Sequence, residues 1–183
     1  MRTPSLCSGV FSLVITLSLL SSPSLASAQT SADRDLKAYS SYRLTMPKYR
    51  KYLAAMVNMA QAGSRNPKVL DAMEASGSLT NDQLVARLNG VPEARRAITG
   101  AGLTTRDYVL TQGAVVQAGI AYGMMKQLKI SPDSAIKAFG VSRANLEFVG
   151  KNEAEITRSM KEAEAKVDAL QGADEGEGED TEE

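Results

Sequence analysis

The sequence has no histidine, no tryptophan and a single cysteine, Cys7, among its 183 residues. These absences exclude the Ser–His–Asp triad, covalent attachment of a c-type haem and almost every zinc or copper site. We therefore expect no metal and no cofactor. Catalysis would have to rely on carboxylates, hydroxyls, lysine or arginine, and no pattern groups these residues. No catalytic residue is assigned, and a carboxylate-dependent hydrolase is the least favoured function.

Residues 1–28 have the features of a secretory signal peptide. Arg2 supplies a positive charge, an apolar stretch follows over residues 10–20, and Ala26-Ser27-Ala28 is a small-residue cleavage site. The apolar stretch is too short to span a bilayer. We expect a protein that is exported to the periplasm or the extracellular space, with a mature chain that has neither a transmembrane anchor nor a cysteine.

The 21 basic and 21 acidic residues are unevenly distributed along the chain. Residues 34–68 contain eight bases and only one acid, whereas residues 171–183 contain seven acids and no base. The acidic segment has too few apolar residues to form a core, so it is predicted to be a disordered tail. The opposite charges would allow this tail to fold back on the basic segment.

Helical signals occupy the chain between residues 43 and 170, and no segment indicates a strand. Helix starts are marked by capping hydroxyl residues, and most stops are marked by glycine. The starts lie at Thr45, Thr80, Thr104, Ser131 and Ser142. The pattern predicts an all-α protein, an irregular multi-helix bundle formed by residues 43–170. Residues 29–42 are ambiguous, because they could continue a helix or lie against the bundle.

A helix predicted over residues 105–128 has no charged residue between Tyr108 and Met125. A helix that is apolar all round is buried, either in a protein core or in lipid. Gln112, Gln117 and the modest length favour a protein core, so we expect the other helices to wrap this central helix. The Gly119-x-x-x-Gly123 spacing would permit close helix packing.

A long C-terminal helix is predicted over residues 143–170, with apolar residues at alternating spacings of three and four. Glu153 interrupts this seam, and Gly150 weakens the helix locally. We expect a monomer in which the seam packs against the bundle. A dimer formed through residues 143–170 is the alternative.

Basic and aromatic residues alternate in the stretch around the first bundle helix. This combination can bind nucleic acid, an anionic polysaccharide or acidic lipid head groups. The candidate anionic-ligand surface consists of Arg43, Lys48, Tyr49, Arg50, Lys51 and Tyr52. The competing interpretation places the tyrosines in the core and leaves the bases as a solvated face.

A second candidate is a pocket between the bundle helices, as bundles commonly provide. Its proposed lining comprises Arg106, Tyr108, Tyr122, Met124, Met125 and Glu153. Glu153 is included because an acid on an apolar seam could face a cavity or pair with a base such as Arg106. The competing interpretation is that the methionines and tyrosines are ordinary core.

Two stretches resemble an uncharacterised group of exported bacterial helical proteins. The first is Ala101-Gly102-Leu103-Thr104-Thr105-Arg106-Asp107-Tyr108-Val109-Leu110, and the second is Asn145-Leu146-Glu147-Phe148-Val149 with Glu153-Ala154-Glu155-Ile156. The resemblance covers about residues 43–160. It implies a bacterial source and an all-helical fold, and it supplies no established activity and no catalytic residue.

Together these observations predict an exported, non-enzymatic binding or envelope-associated module. The expected partner is an anionic envelope polymer or another envelope protein, and nucleic acid is not favoured. The alternative function is a small-ligand carrier with a pocket between bundle helices.

Overall fold

A computed structural model of the chain describes residues 23–74 and 79–172, and these residues form eight helices without a strand. The all-α prediction is confirmed. The helices are α1 (Pro23–Ser41), α2 (Met46–Gly63), α3 (Pro67–Glu74), α4 (Asn81–Gly90), α5 (Pro92–Gly100), α6 (Thr105–Leu128), α7 (Pro132–Phe139) and α8 (Arg143–Gly172). Most of the predicted signal (residues 1–22 of 1–28) and most of the predicted acidic tail (residues 173–183 of 171–183) lie outside the described residues.

Local capping explains where the helices begin. Thr80 and Gln83 form a reciprocal capping box at the start of α4, with bonds of 3.3 and 2.9 Å. The Thr104 hydroxyl accepts from the amide of Asp107 at 3.0 Å at the start of α6. Residues 29–41, which the sequence left ambiguous, belong to α1, and this helix begins before the predicted cleavage point after Ala28.

Helix α6 is the centre of the bundle and contacts α1, α2, α4, α5, α7 and α8. Its alanines at 114, 118 and 121 are fully buried. The wrapping is nevertheless incomplete, because Val116 and Ile120 on the same helix are 53% and 55% exposed. Among the described residues, no helix has the length and apolar character needed to cross a membrane.

The close helix approach on α6 occurs at Gly113 and not at the Gly119-x-x-x-Gly123 pair. A Cβ atom added at Gly119 or Gly123 would meet nothing within 4 Å, whereas one at Gly113 would overlap the ring of Tyr39 on α1. The expected close packing at Gly119 and Gly123 is therefore wrong, because both glycines lie on the uncovered side of the helix.

Helix α8 bends at Asn152, two residues after the predicted weak point at Gly150. Before the bend, its residue Gly150 packs against Tyr122 of α6, and a Cβ at position 150 would lie 3.0 Å from that ring. After the bend, the Ile156 carbonyl accepts a 3.0 Å bond from the Tyr49 hydroxyl of α2. The apolar seam thus packs against two helices of the same chain.

Asn145, near the start of α8, ties this helix to the turn between α1 and α2. Its side chain is fully buried. Its Oδ1 accepts from the Leu44 amide at 3.0 Å, and its Nδ2 donates to the carbonyls of Tyr42 at 2.8 Å and Tyr39 at 3.3 Å. These bonds hold the end of α1 and the turn that follows it against α8, and the Tyr39 carbonyl also accepts from the Tyr42 amide at 3.2 Å.

Candidate functional site

The candidate anionic-ligand surface is only partly a surface. Tyr49 is 0% exposed and Tyr52 is 6% exposed, so both tyrosines belong to the core. This corrects their assignment to the surface. The three-residue spacing turns both rings toward α6 and α8, while Arg50 and Lys51 between them point outward.

The basic side chains of this face make contacts within the chain. Arg50 pairs with Glu155 at 2.6 Å. The Lys51 ammonium donates to the Gly102 carbonyl at 3.3 Å. The Lys48 ammonium lies 4.1 Å from the centre of the Tyr42 ring and donates to the Arg43 carbonyl at 3.3 Å. Each of these exposed contacts is weak. The basic side chains therefore form a solvated face on which several already have a partner within the chain.

Tyr52 packs against Tyr108 at the heart of the bundle, with ring centroids 5.4 Å apart. Burial raises the pKa of Tyr108 to about 12. Burial also raises the pKa of Tyr52, with smaller contributions from the neighbouring tyrosines. Neither hydroxyl is therefore poised for acid–base chemistry near neutral pH.

Because the pKa of Tyr108 is raised in the folded chain, the free energy of unfolding should depend on pH in the alkaline range. Below pH 10 the hydroxyl is protonated in both the folded and the unfolded chain and has no effect. Between about pH 10 and 12 only the unfolded chain releases the proton, so the free energy of unfolding falls by about 1.4 kcal/mol per pH unit. Urea unfolding of the wild type and Tyr108→Phe from pH 9 to 11.5 should show this extra decline only in the wild type. Parallel curves would contradict the assignment.

The six residues of the candidate pocket do not share a cavity. Arg106 pairs with Asp82 at 3.1 Å near the start of α6. Tyr122 lies sixteen positions further along the same helix, about 24 Å away at the usual rise. Tyr122 and Met125 line a small cavity of about 200 Å³ beside α8. Met124, which precedes Met125 in the sequence, is half-buried and does not line this cavity.

Glu153 lies at the surface, where its side chain is 46% exposed. It accepts from Lys126 at 2.7 Å and from the Tyr122 hydroxyl at 3.1 Å. The hydrogen bond from Lys126 is the largest of the effects that lower the pKa of Glu153, so the group stays ionised at neutral pH. The acid on the seam pairs with Lys126 and not with Arg106, because Arg106 lies twenty positions earlier on α6, about 30 Å away at the usual rise.

A groove that the sequence did not predict opens along the uncovered side of α6. We call it the α6 groove, and its volume is about 380 Å³. Residues of α6 from Val109 to Ile120 form its floor, and its walls include Leu36 and Tyr39 of α1, Asn81 of α4 and Phe139 of α7. Its volume lies toward the lower end of the range of small-ligand sites, about 300–1,000 Å³.

The polar side chains of the α6 groove are three carboxamides and the hydroxyl of Tyr39. Asn81 and Gln117 are 6% and 8% exposed, and each has one side-chain atom that is buried without a hydrogen-bond partner: Nδ2 of Asn81 and Oε1 of Gln117. Gln112 is half-buried and makes no side-chain hydrogen bond to another described residue. No described residue that lines the groove carries a charge.

The other amide atoms at these positions are held in place. The Tyr39 hydroxyl donates to Asn81 Oδ1 at 2.6 Å, and Gln117 Nε2 donates to the carbonyls of Phe139 at 3.2 Å and Gly140 at 3.3 Å. Gly140 adopts a positive φ of 61° and ends α7, so its neighbourhood presents carbonyls to Gln117. The unpaired atoms are therefore fixed by the fold.

A larger cleft, of about 530 Å³, lies between α2 and α5 and differs in character. Its wall includes the exposed ion pair between Arg96 and Glu93, 2.8 Å apart. None of its described residues has a buried polar side-chain atom without a partner. The α6 groove is therefore the better candidate for a site.

Comparisons of the chain with models of known protein families, with curated proteins and with solved structures found no match. Among the described residues, no three side chains of histidine, cysteine, aspartate or glutamate are grouped so that they could hold a metal ion. Function must therefore be inferred from the groove itself.

Proposed function

We propose that this protein is a non-enzymatic binding module that holds a small apolar molecule in the α6 groove. The observation that carries the proposal is the pair of unpaired carboxamide atoms beneath an open apolar surface. A buried polar group without a partner costs about 1–3 kcal/mol. A ligand that supplies the missing partners would recover that energy, and native structures retain few such groups without a reason.

Exposed apolar side chains support the same proposal. The large apolar residues that are most exposed among the described residues are Leu36, Val116, Ile120 and Leu128. The first three line the α6 groove, at 47%, 53% and 55% exposure. Grouped exposed apolar residues mark interaction sites more often than scattered ones do. The signal-like features of residues 1–28 support binding outside the cytoplasm, after export.

Ile120 and Leu128 provide a matched test, because both lie on α6 and both are 55% exposed, but only Ile120 lines the groove. We expect Ile120→Glu to weaken binding of the neutral fluorophore N-phenyl-1-naphthylamine at least about tenfold, because the ligand would have to desolvate a carboxylate. Leu128→Glu should bind as the wild type does. Fluorescence titration measures both, and circular dichroism checks that each variant is folded.

Three results would contradict the proposal. The first is equal loss of binding in both variants, and the second is no binding by the wild type. The third is a dimer in sedimentation experiments that Ile120→Glu dissociates and Leu128→Glu does not, because the groove would then be covered by a second copy of the chain.

A further inference from the structure

The unpaired polar atoms of the α6 groove indicate which polar group, or head group, its ligand would carry. Asn81 offers an N–H that needs an acceptor, and Gln117 offers a carbonyl oxygen that needs a donor. A carboxylate supplies acceptors only, and an ammonium group supplies donors only. A head group that does both, such as a carboxamide or a hydroxyl, is the simplest one that satisfies the two residues. The Asn81 amide is oriented so that its Oδ1 accepts from the Tyr39 hydroxyl at 2.6 Å, which leaves its N–H as the unpaired group.

The charges around the groove disfavour an anionic head group. The lining contains no lysine or arginine among the described residues that could pair with an anion. An acid lies beside this wall: Oδ2 of Asp35 on α1 accepts from the backbone amide of Asn81 at 3.0 Å. Its charge lies beside the unpaired Asn81 side chain, where it would repel an anionic head group.

The exposed apolar side chains of the α6 groove indicate the size of the apolar part, or apolar tail, of the ligand. Val116 and Ile120 are one helical turn apart on α6, and Leu36 faces the same groove from α1. A tail that covers these three side chains removes exposed apolar surface from water. At about 30 Å³ for each water-sized group, a volume of about 380 Å³ holds roughly a dozen non-hydrogen atoms, and the open side of the groove lets a bulkier probe extend beyond it.

We infer that the α6 groove binds a neutral amphiphile, with an apolar tail of about ten carbons and a head that both donates and accepts hydrogen bonds. This inference rests on the proposed function and adds the chemical class of the ligand. Gln112, which is half-buried at the groove surface, receives the head first. The enclosed atoms of Asn81 and Gln117 complete its hydrogen bonds after a small movement of the side chains above them.

A series of ligands with one tail and three heads tests the inference. We expect decanamide to bind the purified chain at least about tenfold more tightly than decanoate or decylamine at pH 7.5, since one good hydrogen bond is worth about that factor. Isothermal titration calorimetry measures the affinities. The side-chain amide resonances of Asn81 and Gln117 should shift with decanamide in a ¹H–¹⁵N NMR spectrum.

Two variants examine the head site. Gln117→Met should reduce the preference for decanamide at least about threefold, because it removes the carbonyl acceptor and keeps an apolar side chain of similar length. Gln117 also holds the end of α7, so Gln112→Met serves as a second variant that leaves those bonds intact. It should reduce the same preference without changing the melting temperature by more than a few degrees.

The outcomes separate the two proposals. Equal binding of the three ligands, or tightest binding of decanoate, overturns the inference about the head group. If N-phenyl-1-naphthylamine still binds and responds to Ile120→Glu in that case, the proposed function stands. If neither the fluorophore nor any member of the series binds, the proposed function fails and the inference fails with it.

Discussion

Replacing Asn145 by alanine is expected to lower the free energy of unfolding by about 3 kcal/mol, because it removes three buried hydrogen bonds. The side chain is 0% exposed and connects positions more than a hundred residues apart in the sequence. Without it, the Leu44 amide and the carbonyls of Tyr39 and Tyr42 lose these partners inside the bundle. Urea unfolding followed by circular dichroism measures the change.

Asn152 provides the control for this experiment, since it is an asparagine on the same helix with one local hydrogen bond. Its Nδ2 donates to the Phe148 carbonyl at 2.7 Å. Asn152→Ala should cost about 1 kcal/mol or less. Similar losses in the two variants would show that Asn145 does not hold the α1–α2 turn to α8.

The role of Asn145 gives a physical meaning to the stretch Asn145-x-x-Phe148-Val149 at the start of α8. Asn145 supplies the hydrogen bonds, while Phe148 and Val149 are buried in the core at 9% and 6% exposure. Asn145 thus ties α8 to the turn between α1 and α2, while Phe148 and Val149 anchor the same part of α8 in the core. A pattern of this kind describes a fold, and it carries no information about a ligand.

Helix starts and the all-α class could be predicted from the sequence because their signals are local. The Thr80–Gln83 capping box and the Thr104 cap each involve residues three positions apart, and both form as expected. The apolar character of residues 105–128 likewise indicated the central helix. These features depend on spacing along one segment and not on which segments later meet.

The α6 groove could not be predicted in the same way. Helix α6 has no distinct polar face, so its sequence does not show which side the other helices leave uncovered. The groove forms only where α1, α4 and α7 pack around α6 without closing. Gln112 and Gln117 were visible as polar residues in an apolar helix, but their proximity to Asn81 depends on tertiary packing.

Gly113→Ala is expected to lower the free energy of unfolding by about 2 kcal/mol, although alanine favours a helix by about 1 kcal/mol over glycine. The added Cβ would overlap the Tyr39 ring, so α1 must move or the ring must abandon its 2.6 Å bond to Asn81. Either movement alters one wall of the α6 groove. Binding of N-phenyl-1-naphthylamine should therefore change together with stability.

Gly119→Ala is the matched control, since it makes the same chemical change on the same helix at a position where a Cβ meets nothing within 4 Å. It should raise the free energy of unfolding by about 0.5–1 kcal/mol through helix propensity alone. The two substitutions are thus expected to have opposite signs, and chemical denaturation of both variants measures the difference. If Gly113→Ala were also stabilising, Tyr39 could not be seated against Gly113, and the α1 wall of the groove would have to lie elsewhere.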